Sequence, residues 1–270
     1  MRFGYPLNVH LLLIKMELNK IYNEDCLVGM DKIDDKSVDM ILCDLPYECT
    51  MNEWDSIIPF DKLWEQYNRI IKDNCVICLF STQPFTTKLI ASNVENFKYE
   101  WIWHKSHGGN FALAKSRPLK EHENIEIFCN GNARYFPIKE ERHGSGKQTS
   151  KYFKKSNVSK SDVYGIDNES VRKNFGELRY PSSVQYFNSV SNTNGKRLHP
   201  TQKPTDLLEY LIKTYTLENE TVLDNCMGSG STGVACINTK RNFIGIEKDD
   251  KYFEIAKDRI EKAKESLFEM

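Results

Sequence analysis

The sequence carries no excess of charge of either sign: 37 Lys and Arg stand against 38 Asp and Glu, a formal net charge of −1. That balance excludes a polycation that binds nucleic acid over its whole surface, so any basic surface has to be local. Long apolar runs are missing as well. Leu11-Leu12-Leu13-Ile14 falls far short of the ~20 residues that a membrane span requires, and no small-residue cleavage site follows it. There is no internal repeat and no sustained heptad, which excludes a solenoid and a coiled coil. Cysteine is present but unframed: Cys26, Cys43, Cys49, Cys75, Cys78, Cys129, Cys226 and Cys236 are scattered. Cys75-Val76-Ile77-Cys78 lies in a strand-like run with no second pair at zinc spacing. Strand residues three apart point to opposite faces, so a metal knuckle is rejected and no metal is expected. Free thiols fit a reducing cytoplasm, the expected location.

What is present reads as an alternation of strands and helices. Ile21–Cys26, Val38–Cys43, Val76–Phe80, Tyr99–Trp103 and Glu123–Phe128 have strand character. Phe60–Ile70 has helical spacing, and Gln83-Pro84-Phe85 leads into a helix with Leu89 and Ile90. Pro204 opens a helix with Leu207, Leu208, Leu211, Ile212 and Tyr215 on one face. The last helix sets Tyr252, Ala256, Ile260, Ala263 and Leu267 in a stripe. Such alternation predicts a parallel α/β sheet. Periodicity fades from Gly131 to Arg197, and between Gly131 and Pro200 there are 13 Lys and Arg against 6 Asp and Glu. A solvated loop would show the same excess as a phosphate-binding surface.

Two segments carry chemistry. Cys43-Asp44-Leu45-Pro46-Tyr47 ends an apolar strand with a carboxylate, a rigid proline and an aromatic ring. Ligands in open α/β sheets bind outside the carboxyl ends of strands, although a strand followed by a proline turn is also ordinary punctuation. The second segment, Asp224-Asn225-Cys226-Met227-Gly228-Ser229-Gly230, leads from a β-branched strand into a small-residue helix. Glycines let backbone approach a ligand, and a helix start offers free N–H donors. The next strand, Asn242–Ile246, ends in Glu247, where an acid commonly binds ribose hydroxyls, so a nucleoside cofactor is expected.

Together these segments resemble the amino-methylating DNA methyltransferases. Asp44-Leu45-Pro46-Tyr47 is similar to that family's Asp-Pro-Pro-Tyr motif, with Leu45 departing from it. Asp224 to Gly230 resembles its Asp-Pro-Phe-x-Gly-x-Gly loop, with Asn225 and Cys226 departing, and His199-Pro200-Thr201-Gln202-Lys203-Pro204 matches a further motif. The catalytic motif precedes the cofactor loop, the order of the permuted beta class. The resemblance implies a Rossmann-like class I methyltransferase sheet with an inserted, mostly irregular target-recognition region. The implied division is an extension at 1–18, a catalytic half at 19–130, the recognition region at 131–198 and a cofactor half at 199–270. Met16 is an alternative start.

By the same resemblance the cofactor is S-adenosyl-L-methionine. Asp25, Cys26, Gln202, Lys203, Asp224, Asn225, Cys226, Met227, Gly228, Ser229, Gly230, Thr232, Glu247 and Lys248 are its expected contacts. Asp44 and the Leu45 carbonyl would hold an exocyclic amine, with Pro46 shaping the turn and Tyr47 stacking on a flipped base. Aspartate at the first motif position points to adenine N6; cytosine N4 is the alternative, and RNA or protein-glutamine methylation is more distant. A non-catalytic DNA-binding subunit is the reading from another class. Lys151, Lys154, Lys155, Arg172, Lys173 and Arg179 are candidate DNA contacts. Trp103-His104-Lys105 and His122-Glu123 resemble structural walls of the target pocket, and Phe111 is a candidate to enclose the base. Double-stranded DNA is the expected partner, a membrane is not, and a homodimer and a cognate restriction endonuclease stay open.

Overall fold

The computed structural model describes residues 15–47, 57–141, 178–191 and 197–268. Two compact units emerge, residues 1–136 with 183–270, and residues 137–182. The first is built on an eight-stranded sheet in the order β1-β10-β9-β2-β3-β5-β4-β8. Its strands are β1 (Lys20–Asn23), β2 (Val38–Cys43), β3 (Ile71–Ser81), β4 (Phe97–Gly109), β5 (Lys120–Phe128), β8 (Val184–Phe187), β9 (Thr221–Asp224) and β10 (Asn242–Glu247). In the second unit the short strands β6 (Glu140–Glu141) and β7 (Leu178–Arg179) pair antiparallel.

The centre of the sheet follows from one sequence property. All six residues of β2 are buried. Successive side chains on a strand alternate between faces. Ile41 and Cys43 accordingly pack into a core on one face with Leu63, Trp64, Tyr67 and Ile70 of the helix Phe60–Ile70. Met40 and Leu42 pack into a core on the other face with Leu208, Leu211 and Ile212 of the helix Thr205–Tyr215. Cys75 and Cys78 divide in the same way, one in each core.

β2 pairs in parallel with β3 on one side and with β9 on the other. The chain therefore leaves the sheet centre in one direction and returns, far along the sequence, in the other. A buried carboxylate fixes this junction. Asp39 accepts a 3.0 Å hydrogen bond from the Thr221 backbone N–H, the first residue of β9, and a 2.8 Å bond from Lys72 Nζ. The carboxyl ends of β2 and β9 then lie side by side, the geometry of a topological switch point.

Three expectations change. The sheet is not wholly parallel: β5 runs antiparallel to both β3 and β4. Ten residues, 110–119, separate β4 from β5, with the 3-10 turn Phe111–Leu113 as their one helical element, and so short a connection has no room for the crossover helix that a parallel pair needs. Val184–Phe187, inside the stretch expected to be irregular, adds to the sheet as a parallel edge beside β4. The early strand stops at Asn23 because Asp25 caps the helix Cys26–Met30, its side chain accepting from Leu27 N–H at 3.0 Å. In the last helix, Ala256 and Ile260 are buried as the stripe requires; the Leu267 side chain lies outside the described residues.

One core acid sets a pH dependence. Glu126, on β5, is fully buried; Ser81 Oγ donates to Oε1 at 2.9 Å, while Oε2 accepts no hydrogen bond among the described residues. Burial pushes its carboxyl up to about 7, against the Ser81 bond and with help from Glu100. An acid whose folded pKa is raised stabilises the fold below its unfolded pKa and loses that contribution as pH rises through the folded value. Stability should therefore fall between pH 5 and 8. In Glu126→Gln that slope should flatten, with Tm at pH 8 higher than the parent's by roughly 2–4 °C, the equivalent of about 1 kcal/mol. Thermal denaturation across the pH range checks this, and an equal Tm offset at every pH would contradict it.

Candidate functional site

Asp44 leaves the end of β2 and is largely buried, its side chain 19% exposed. Leu45 points into the core, and the Tyr47 ring packs on Phe85 with centroids 4.9 Å apart. Both Asp44 oxygens are engaged. The Tyr47 hydroxyl donates to Oδ1, and the Lys203 ammonium donates to Oδ2. Lys203 arrives from the segment before the helix Thr205–Tyr215. There the Thr201 N–H donates to His199 Nδ1 at 3.2 Å and the Gln202 N–H to the His199 carbonyl at 3.1 Å, a tight turn that aims Lys203 inward.

Lys203 is itself buried, with its ammonium 4.9 Å from the centroid of Phe80. Glu123 Oε2, on β5, lies 3.5 Å from Lys203 Nζ, and the Lys105 ammonium, on β4, bonds Glu123 Oε1. Charges thus alternate along one line: Lys105, Glu123, Lys203, Asp44. Burial alone would lower the pKa of Lys203, but the two carboxylates outweigh it and raise it. Burial raises Asp44; Lys203 opposes the rise and Glu123 adds to it. Glu123 resists its own burial and is held down at about 2 by Lys203 and Lys105.

Beside this line, β9 ends in Asp224. Its Oδ1 accepts from Cys226 N–H at 3.1 Å and its Oδ2 from Thr232 Oγ1 at 2.5 Å, which staples the glycine loop to the following helix. Burial pushes the Asp224 carboxyl up to about 7 despite the Thr232 bond. Gly228 and Gly230 take φ of +54° and +80°, the left-handed region that side chains disfavour. Glu247, at the end of β10, accepts from Gly228 N–H at 2.6 Å and from Asp249 N–H at 2.8 Å. Arg259 braces the loop from outside, donating to the Ser229 carbonyl at 2.5 Å. Where the family pattern has proline, Asn225 accepts from the Tyr67 hydroxyl at 2.6 Å inside the core.

A cavity of about 720 Å³ joins both halves, in the size range of small-molecule sites. Asp44, Leu45, Pro46, Tyr47, Asp25, Cys26, Gln202, Lys203, Asp224 to Ser229, Thr232, Glu247 and Lys248 all line it. Gly230 does not. It sits behind the loop, against Ala256, where its missing side chain allows the last helix to approach. Asp25 spends one oxygen on its helix cap and holds the other 3.5 Å from Lys248 Nζ. Arg179 lies in the second compact unit and pairs with Glu140 at 3.2 Å. Lys151, Lys154, Lys155, Arg172 and Lys173 fall outside the described residues.

Several contributors escaped the sequence reading. His199, Phe80 and Tyr252 line the cavity, with the His199 and Tyr252 rings edge-on at 4.1 Å. Glu123 and Lys105 were placed on a structural wall, yet they complete the line of charges behind Asp44. The signal was a run of charged residues inside strands, since such groups are seldom buried unless paired. Phe111 is corrected in the opposite sense: it is 67% exposed on the turn between β4 and β5 and does not line the cavity.

A family model described as DNA methylase, for N6 and N4 methyltransferases, matches residues 38–258. The Type II methyltransferase M1.MboII of Moraxella bovis is 28% identical over 250 residues, 88% of this chain and 94% of that protein. The crystal structure of an M1.HpyAVI–SAM complex has a TM-score of 0.60 at 25% identity, covering 89% of this chain and 98% of that one. The cytosine-N4-specific PvuII DNA methyltransferase shares the fold, with a TM-score of 0.64 at 14% identity over 93% of this chain and 92% of that one.

The two loop glycines should respond differently to substitution. A Cβ at Gly230 would lie 2.9 Å from the Ala256 backbone Cα, whereas one at Gly228 would meet nothing nearer than 3.7 Å among the described residues. Gly230→Ala should cost roughly 2–3 kcal/mol, from strain and overpacking together, and Gly228→Ala about 1 kcal/mol from strain alone. Urea denaturation of both variants checks the order, and a larger loss at Gly228 would contradict it.

Proposed function

The chain belongs to the DNA methylase family of N6 and N4 amino methyltransferases, and from that membership we propose that it transfers a methyl group from S-adenosylmethionine to adenine N6 at specific sites in double-stranded DNA. Its curated relatives are Type II methyltransferases, so a cognate restriction endonuclease is its expected counterpart. The observation that carries the reading is the convergence of Asp44 and the Asp224 to Ser229 loop on one cavity at the switch point.

The cavity suits the cofactor. Gly228 opens the backbone where a nucleoside has to approach, Glu247 presents a carboxylate at the end of the neighbouring strand, and Asp25 supplies a second acid. The M1.HpyAVI structure, similar in fold, holds the same cofactor. When bound, S-adenosylmethionine supplies an electrophilic methyl group on a sulfonium.

The remaining work belongs to the chain. An exocyclic amine is a poor nucleophile because its lone pair is delocalised into the ring. The Asp44 carboxylate and the Leu45 carbonyl accept its two N–H bonds and draw the nitrogen toward tetrahedral geometry, with the lone pair aimed at the methyl carbon. These acceptors also stabilise the positive charge that grows on nitrogen as the bond forms. Because the bond to Leu45 uses backbone oxygen, leucine serves where the family motif has proline. Tyr47, held on Phe85, offers an aromatic face to the flipped base. Aspartate at the head of the motif supports adenine. We assign Arg179 and the lysines at 151, 154, 155 and 173, with Arg172, to the phosphate backbone, as the local basic excess suggests.

Incubation with S-adenosylmethionine and mixed-sequence duplex DNA, followed by nucleoside mass spectrometry, tests the reading. N6-methyladenine is the expected product. N4-methylcytosine alone would overturn the base assignment, and no methylated nucleoside would overturn the activity. Asp44→Ala should reduce turnover by at least ~10³-fold, a loss larger than that of a single hydrogen-bond donor, while calorimetry shows cofactor affinity within about twofold.

A further inference from the structure

Asp44 has a task in the proposed reaction that its neighbours obstruct. Oδ2 is bonded to the Lys203 ammonium and Oδ1 to the Tyr47 hydroxyl. An amine that gains positive charge in the transition state is poorly served by a carboxylate whose charge is already offset by an ammonium on the same oxygen. Lys203 therefore has to leave Asp44 as the amine enters, and a buried ammonium needs another anion within reach. One is in place. Glu123 Oε2 is buried, accepts no hydrogen bond among the described residues, and lies 3.5 Å from Lys203 Nζ. A shift of under ~1 Å would turn that separation into a charge-assisted hydrogen bond. Phe80 keeps its ring face toward the ammonium, and Lys105 holds the other Glu123 oxygen so that the acceptor cannot swing away.

We propose that Glu123 is a positioning residue that takes Lys203 from Asp44 when the target amine enters. The inference rests on the reading of Asp44 as the amine acceptor. Glu123 touches neither substrate nor cofactor; it acts through Lys203.

Among the described residues, the charged and titratable groups facing Asp44 are Lys203 from the segment before the helix Thr205–Tyr215, Glu123 from β5, Tyr47 from its own loop, and Asp224 and Cys43 from the ends of β9 and β2. Glu123 in turn faces Lys105 and Lys120. Replacing Glu123 with neutral glutamine removes a charge that pushes Asp44 up and leaves Lys203 only one carboxylate. Both effects lower the Asp44 pKa.

The test compares the parent enzyme with Glu123→Gln and Glu123→Asp. Turnover of Glu123→Gln should fall about 10- to 100-fold with cofactor affinity unchanged, and the acid limb of its pH–rate profile should move to lower pH. Glu123→Asp, which keeps the charge, should recover part of the rate. In protein labelled with carboxyl-¹³C aspartate, the Asp44 titration should likewise move down in Glu123→Gln. A parent-like rate would overturn the proposal. So would a lowered rate with neither the acid limb nor the Asp44 titration displaced, which is the result expected of a brace that only holds the fold. The carboxyl titration needs no catalysis, so an inactive parent would count against the proposed function while the titration still decides whether Glu123 governs Asp44.

Discussion

One buried ammonium organises this protein. Lys203 sits in the interior against Phe80 and is shared by two carboxylates, Asp44 and Glu123. Removing a charge from water costs several kcal/mol even after the surroundings relax, so such an arrangement persists only if its partners are held in place. The ammonium and its two carboxylates come from three separate places: the turn that begins at His199, the end of β2 and the middle of β5. Their meeting requires the sheet to be assembled in one order and one register. The same requirement places Asp44 at the head of the cavity rather than in solvent.

The junction of β2 and β9 supplies the rest of the architecture. Asp39 bonds the first backbone amide of β9, the fully buried residues of β2 fill both cores, and the two strands end together. The turn after β2 and the loop after β9 line one crevice because adjacency in the sheet and not order in the sequence brings them together. The glycine loop is stiff for the same reason. Asp224, Glu247 and Arg259 each bond its backbone or its neighbours, so what faces the cavity is a prearranged row of amides and carboxylates.

Features governed by local chemistry are legible in the sequence. The run Val38-Asp39-Met40-Ile41-Leu42-Cys43, apolar or small but for Asp39, specifies a central strand. Leu207, Leu208, Leu211, Ile212 and Tyr215 recur at helical spacing and are all buried. Glycine beside an acid-ended strand specifies a turn that a ligand can approach. Non-local relations were not legible. Nothing within Glu123–Phe128 tells β5 to run antiparallel; the brevity of the link from Gly109 decides it. Val184–Phe187 is too short, and its neighbours too polar, to register as a strand without the free edge of β4 beside it. Glu123 and Lys105 read only as structural wall segments, because a sequence displays residue types and not the partners that neutralise them.

The central physical claim, that Lys203 is present as the counter-ion of a buried carboxylate, is tested most directly by a double-mutant cycle in stability. Lys203→Met alone leaves Asp44 unpaired in the interior and should cost about 3–5 kcal/mol in denaturant unfolding at pH 7. Combining it with Asp44→Asn removes the stranded charge while the pair Lys105–Glu123 remains. The double variant should recover a large part of the loss, a coupling of at least ~1 kcal/mol, well above the error of such cycles. Losses that simply add would show that the two groups fold independently, and that the buried ammonium does not organise the site.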